Sequence, residues 1–217
     1  MNADVKRYYD ANRNLSYDKN PQVKAAFDLT LKIQAAGISA KQQSWTAGWT
    51  AGMTKGDFAA MSAPSWMLNA IRTNAPKTEG KWDVATIPGG SGNWGGSYLA
   101  IPKRAKNPQA AWNYIAEMQS PAGQLEHFLV QGALPTTPSV YSDPQLVGRT
   151  EPFFSNAPIG KIYTDSVLNI KPFYIGVDDA TIGTELLNAV TSVEQGKLDP
   201  AKAWSTAMTN VKNALRG

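Results

Sequence analysis

The tryptophans are the residues of this chain that indicate most about its chemistry. Seven tryptophans occur among 217 residues, and most of them lie in or beside segments rich in Gly, Pro and Ser. Those in such segments are Trp45, Trp49, Trp66, Trp82 and Trp94. The face of an indole can stack on the apolar C–H face of a sugar ring, and its N–H can donate a hydrogen bond. The pattern favours carbohydrate binding; the alternative, that each ring only closes a core, stays open because Trp is highly buried on average.

Other reactive residue types are scarce, which limits the possible enzyme and metal chemistry. The absence of Cys excludes disulfides, thiolate metal sites and a Cys nucleophile. The one histidine, His127, excludes a multi-histidine metal site, and its place in a helical pattern is typical of a helix surface. Asp178 and Asp179 are adjacent, so in an extended chain they point apart and are poor partners for hydrolysing a glycoside. We therefore predict no catalytic residues, no metal ion and no cofactor.

Two motifs have both a structural and a ligand-binding interpretation. Asp178 and Asp179 precede a helical pattern, where they could satisfy free N–H groups, or one of them could accept hydrogen bonds from sugar hydroxyls. Gly89 to Gly92 resemble a phosphate-binding loop in composition but lack the Gly-Lys-Ser/Thr that would follow. These glycines could instead let the backbone approach a ligand and present Trp94 and Ser97.

The composition is typical of a soluble globular protein. Hydrophobic residues make up 42%, charged residues 18%, and the formal net charge is +4. The basic residues are scattered singly and the densest run, 103–106, is short, so nucleic acid is not an expected partner. No stretch reaches the ~18 apolar residues of a membrane span. The polar start at residues 1–4 does not predict a signal peptide, so we expect either a cytosolic protein or a longer one whose N-terminus is missing.

The periodicity predicts helices separated by a few short strands. Asn20-Pro21, Asn107-Pro108, Ser120-Pro121 and Asp199-Pro200 are helix-start signals. Helices are predicted over 21–36, 46–54, 66–71, 107–118, 120–132, 143–148, 178–194 and 199–215, with Ser65 as a cap and with Trp112 and Trp204 packed in a core. Strands are predicted at 57–61, 82–88 and 98–102, and residues 161–169 are ambiguous. This pattern indicates an α/β fold with too few strands for a complete sheet domain.

Several segments together resemble the extracellular solute-binding proteins (family 1) of bacterial sugar ABC transporters. The segments are GDFAAM and PSWM (56–61, 64–67), WDVATIPGG (82–90), NWGGS (93–97), LAIP (99–102), NPQAAW (107–112), SPAGQ (120–124), GALPT (132–136) and VEQGK (193–197). They keep the family's order over nearly the whole chain.

The resemblance implies the architecture of a periplasmic binding protein, of which this chain would contain only a part. Family members have a type II, periplasmic-binding-protein-like fold, in which two α/β lobes joined by crossover strands close on a sugar like a hinge. They are about twice this length, so the chain is expected to be the C-terminal half, without the signal or lipoprotein segment and the first lobe. By analogy, residues 1–92 and 141–217 belong to the second lobe. Residues 93–140 form the crossover and a segment returning to the first lobe.

The resemblance also implies a site and a function. Expected ligand-binding residues are Trp66 as the main platform, Trp94 and Ser97 from the crossover loop, Trp45 and Trp49 as further platforms, and Tyr174 and Asp178 closing the site. The expected protein is a non-catalytic monomer at the outer face of the membrane or in the periplasm. It would bind a sugar or oligosaccharide between its lobes and deliver it to a membrane permease. The alternatives are a fragment of a carbohydrate-active enzyme, a lectin-like module, and a transport component for peptides or other solutes.

Overall fold

The computed structural model describes residues 7–171 and 173–216, and their regular structure is helical. The α-helices are α1 (Pro21–Ala35), α2 (Ala47–Lys55), α3 (Ser65–Asn74), α4 (Pro108–Met118), α5 (Pro121–Gln131), α6 (Pro144–Val147), α7 (Ile159–Asn169), α8 (Asp179–Glu194) and α9 (Pro200–Ala214). Short 3-10 turns form at Pro76–Thr78, Pro138–Val140 and Pro152–Phe154. Extended pairing within the described residues is limited to isolated bridges, Tyr9 with Leu15 and Glu151 with Ala157.

The helix starts follow the capping signals of the sequence. The Asn20 side chain accepts a hydrogen bond from the Gln22 N–H at 3.0 Å, and Pro21 takes the first helical position of α1. Ser120 accepts from the Gly123 N–H at 3.0 Å at the start of α5, which ends before Gly132 at φ +77°. The helices predicted from these signals are confirmed.

The segments predicted as strands are the main correction to the α/β expectation. Residues 57–61, 82–88 and 98–102 are loops, and no strand forms within 7–171 and 173–216. A strand needs a neighbouring strand to take its N–H and C=O groups, and alternation in the sequence cannot supply that partner. Phe58 and Val84 instead pack, partly buried, against a helical core, whereas residues 92–100 are exposed.

The structure assigns one ambiguous segment and corrects one helical prediction. The ambiguous segment 161–169 is part of α7, which buries Tyr163. Trp112 was expected in a core, yet it is 56% exposed on α4, a helix with no buried residue. Trp204 agrees better with expectation, because it is partly buried and meets the Phe27 ring edge-on at 5.4 Å.

The chain divides into two compact units whose bounds differ from those of the predicted lobes. One unit combines Met1–Gln42 with Lys171–Gly217, and the other is Gln43–Ile170. The first contains α1, α8 and α9, whose buried side chains include Ile182, Val211 and Ala207. The assignment of residues to two lobes of a whole protein stays a prediction.

The core of the Gln43–Ile170 unit holds α2 and α3, and α3 carries the exposed Trp66. α3 contributes Met67, Leu68 and Ile71, which are between 0% and 6% exposed. They pack with Trp49 and Met53 of α2, and with buried residues of α5, α6 and α7. Burial of these large apolar side chains is the main stabilising contribution in the unit, and it holds the start of α3 in place.

Candidate functional site

Four tryptophans of the Gln43–Ile170 unit meet in one group, here called the indole cluster: Trp45, Trp49, Trp66 and Trp94. The Trp45 and Trp66 ring centroids are 5.9 Å apart with planes at 18°. Trp49 lies 5.0 Å from Trp45 at 54°, and Trp94 lies 6.0 Å from Trp66 at 59°. Such tilted and offset arrangements are the favourable ones for aromatic pairs.

The members of the indole cluster differ in exposure. Trp49 is only 6% exposed and belongs to the core, whereas Trp45, Trp66 and Trp94 are 56%, 38% and 45% exposed. Contiguous exposed aromatic rings are uncommon on the surfaces of monomeric proteins, and such patches are frequent at interaction sites. Trp49 therefore joins the cluster to the core, and the other three present apolar faces to the outside.

The start of α3 positions Trp66. Its neighbours Ser65 and Met67 are buried, so Trp66 between them points away from the core. Ser65 was predicted to cap α3, and that was wrong. The cap position is Pro64, and the Ser65 hydroxyl instead accepts the Leu134 N–H at 3.0 Å. This bond ties the start of α3 to the half-buried Leu134 in the loop after α5.

The start of α2 positions Trp45 and Trp49. Thr46 caps this helix: its hydroxyl accepts from the Trp49 N–H at 3.3 Å and donates to the Gln43 carbonyl at 2.8 Å. Trp45 precedes the cap with φ +70°, a left-handed backbone that is rare for a bulky residue. The turn places the Trp45 ring between Trp49 and Trp66.

The Gly-rich loop brings Trp94, but not Ser97, to a described contact in the indole cluster. Gly89, Gly90 and Gly95 have positive φ values, which let this loop turn without a side-chain penalty. Trp94 contacts Trp66, and Ser97 follows in the same loop as an exposed residue. A ligand-binding role for either residue stays a prediction.

Tyr174 and Asp178 belong to the other unit, where both contact Tyr9. The Tyr9 and Tyr174 rings meet edge-on at 5.1 Å. The Tyr9 hydroxyl donates to the Asp178 carboxylate at 3.2 Å and accepts the Asp178 N–H at 3.1 Å. Burial raises the pKa of Tyr9 above its ordinary value; the bond from the Asp178 N–H lowers it, and the bond to the Asp178 carboxylate raises it. These contacts give Tyr174 and Asp178 a structural role at the start of α8, and their role towards a ligand stays a prediction.

Two of the remaining candidates have simple structural explanations. The Trp82 N–H donates to the Thr78 hydroxyl at 2.7 Å, and the ring packs partly buried on the core. His127 is exposed on α5. Among residues 7–171 and 173–216, no three His, Cys, Asp or Glu side chains are grouped so as to hold a metal ion. No helix in the same residues has the length and apolar character to span a membrane.

A family model described as bacterial extracellular solute-binding protein matches residues 3–153. The chain belongs to this family. No curated protein sequence matches this solute-binding protein. A solved structure titled extracellular solute-binding protein family 1 is 33% identical over 98% of the chain, with a TM-score of 0.85. An ABC transporter associated binding protein from B. animalis subsp. lactis Bl-04, solved with β-1,6-galactobiose, is 18% identical over 92% of the chain, with a TM-score of 0.75.

Both solved relatives are longer than this solute-binding protein. The chain covers 55% of the first and 52% of the second. Its helices therefore correspond to part of a periplasmic-binding-protein-like fold. Both relatives are described as binding proteins.

Proposed function

We propose that the indole cluster binds a sugar or oligosaccharide. The observation that carries this proposal is the contact of Trp66 with two other exposed indoles, Trp45 and Trp94. A pyranose ring has an apolar C–H face that fits an indole, and its hydroxyls remain at the edge to bond polar groups. Trp66 and Trp94 adjoin, and two indoles offer more area than one sugar ring covers, which supports an oligosaccharide.

The galactobiose complex of the B. animalis binding protein supports the same ligand class. In the proposed site, stacking supplies affinity, and hydrogen bonds to hydroxyls supply selectivity. A wrong sugar that leaves a site donor or acceptor unpaired loses roughly 1–3 kcal/mol per group. Ser97 is the polar side chain of the same loop as Trp94 proposed to bond sugar hydroxyls. Tyr174 and Asp178, in the other unit, are proposed as further ligand-binding residues.

The proposed protein is a non-catalytic, monomeric component of an ABC transporter. Together with a further part of a longer chain it would form the two α/β lobes of a type II fold, with residues 93–140 reaching the first lobe. The ligand would be held between the lobes, outside the cell membrane or in the periplasm, and passed to the permease. The family match and the ABC transporter association of one relative support this proposal.

A fluorescence titration of the 217-residue chain tests the proposed ligand class. The panel contains β-1,6-galactobiose and cello-, malto-, xylo- and chito-oligosaccharides. We expect a saturable change with one sugar class, and an affinity at least about tenfold lower in Trp66→Ala. Trp112→Ala is the matched control, because it removes an exposed indole from α4 of the same unit.

Two results would contradict the proposal. Equal affinity of Trp66→Ala and the unchanged chain would remove the indole cluster from the site. Release of reducing sugar from an oligosaccharide would indicate an enzyme instead of a binding protein.

A further inference from the structure

The stacking of Trp45 on Trp66 has a geometric consequence for any ligand. Their planes are 18° from parallel and their centroids are 5.9 Å apart. For nearly parallel rings, the distance between the planes cannot exceed the distance between the centroids. The gap between the two indoles is therefore at most about 6 Å.

A sugar ring does not fit into that gap. Carbon atoms in contact are about 3.5–4.0 Å apart, so a ring held between two indoles needs roughly 7–8 Å from plane to plane. In the observed offset stack Trp45 therefore covers part of one face of Trp66, and a sugar cannot stack on that part while Trp45 stays in place.

The backbone of Trp45 does not favour the stacked position by itself. Its φ of +70° lies in the left-handed region, where a side chain crowds the following carbonyl. The ring is nevertheless 56% exposed, and its described ring contacts are Trp49 and Trp66. Strained backbone of this kind persists where surrounding contacts enforce it, and it is frequent at ligand sites and switches.

We propose that Trp45 is a removable cover over one face of Trp66, which competes with the ligand for that face. The inference rests on the proposed function for the identity of the ligand, and on the ring geometry for the cover. When a sugar binds, Trp45 moves off, its backbone relaxes, and the sugar takes the vacated face. A ligand must replace the lost indole contact, so Trp45 selects for sugars with an extended apolar face.

Removing the Trp45 ring distinguishes a cover over Trp66 from a further surface on which the sugar stacks. A cover predicts that Trp45→Gly binds the sugar about two- to tenfold more tightly, because the competing aromatic pair is lost. A platform predicts weaker binding. Glycine accepts φ +70° without strain, so this variant preserves the local backbone. A second variant, Trp45→Asn, introduces a polar side chain, and asparagine also tolerates the left-handed region.

A spectroscopic measurement tests the cover without any ligand. The chain is labelled with 5-fluorotryptophan, and the Trp66 resonance is assigned by its disappearance in Trp66→Phe. We expect Trp45→Gly and Trp45→Asn to shift this resonance and to increase its broadening by a soluble paramagnetic agent. Trp112→Ala removes an indole of the same 56% exposure and should leave the resonance in place. Cooperative urea unfolding of each variant confirms that it is folded.

The ligand measurement uses the sugar that gives a saturable response with the unchanged chain. Tighter binding by Trp45→Gly, together with the shifted resonance, supports the cover. Weaker binding by Trp45→Gly overturns it and leaves carbohydrate binding intact. If the panel gives no binding to any variant, carbohydrate binding fails. The cover is then decided by the Trp66 resonance alone, and an unchanged resonance in Trp45→Gly overturns it.

Discussion

The Ser65 hydroxyl should contribute measurably to the stability of the Gln43–Ile170 unit. Ser65 is 7% exposed, and its hydroxyl accepts the Leu134 N–H at 3.0 Å. In Ser65→Ala that N–H, which belongs to the half-buried Leu134, loses its partner, and an unsatisfied donor shielded from water costs up to about 1–3 kcal/mol. A loss of 1.4 kcal/mol lowers the folded-to-unfolded ratio about tenfold. With a typical dependence of about 2 kcal/mol per M urea, the unfolding midpoint should fall by roughly 0.5–1.5 M.

The matched control for this prediction is Ser62→Ala, the same substitution at an exposed position in the loop before α3. It should change the free energy of unfolding by less than about 0.5 kcal/mol. Urea unfolding followed by far-ultraviolet circular dichroism measures both variants. Equal midpoints for Ser65→Ala and the unchanged chain would refute the stabilising role of the hydroxyl. They would also remove the argument that this bond positions the start of α3.

Three further predictions concern packing and pH. Gly160→Ala should lower the free energy of unfolding by about 1–3 kcal/mol or more, because its new methyl group would overlap backbone atoms of α6. The control, Gly183→Ala in α8, should be neutral or stabilising, and urea unfolding measures both variants. Trp49→Ala should lower the free energy of unfolding by about 3–5 kcal/mol and Trp112→Ala by less than about 1 kcal/mol, because the two side chains are 6% and 56% exposed. Similar melting temperatures of the two variants would contradict this. Burial raises the pKa of Tyr163 above 10.0, which favours the neutral phenol in the fold. The contribution of Tyr163 to the free energy of unfolding is therefore complete below about pH 10 and is lost as the pH rises further. The melting temperature of Tyr163→Phe should therefore fall less than that of the unchanged chain between neutral and alkaline pH.

Helix ends were predictable because their signals are local. Asn20 and Ser120 cap α1 and α5 through side chains that bond backbone groups two or three residues away. α7 starts after Pro158 without a side-chain cap, so the sequence carried no comparable signal for it. The predicted strands depended on partners that the described residues do not supply, and alternation alone cannot reveal this.

The meeting of the candidate tryptophans was predictable only in part, and their role towards a ligand stays a prediction. Exposed indoles next to glycine and proline indicated an interaction surface, and Trp45, Trp66 and Trp94 do meet. Which rings touch depends on the packing of α2 against α3, a non-local contact that spacing cannot predict. Trp82 has the same kind of sequence neighbourhood and packs on the core instead. The bond of Tyr9 to Asp178 joins residues 169 positions apart and was not predictable from the sequence.

The most direct measurement for the central claim is saturation-transfer magnetic resonance on the unchanged chain with each sugar of the panel. Selective irradiation of indole protons should transfer saturation to the ring C–H protons of one sugar class. We predict that this transfer is lost in Trp66→Ala and kept in Trp112→Ala. Transfer that persists in Trp66→Ala, or that no sugar receives, would contradict carbohydrate binding by the indole cluster.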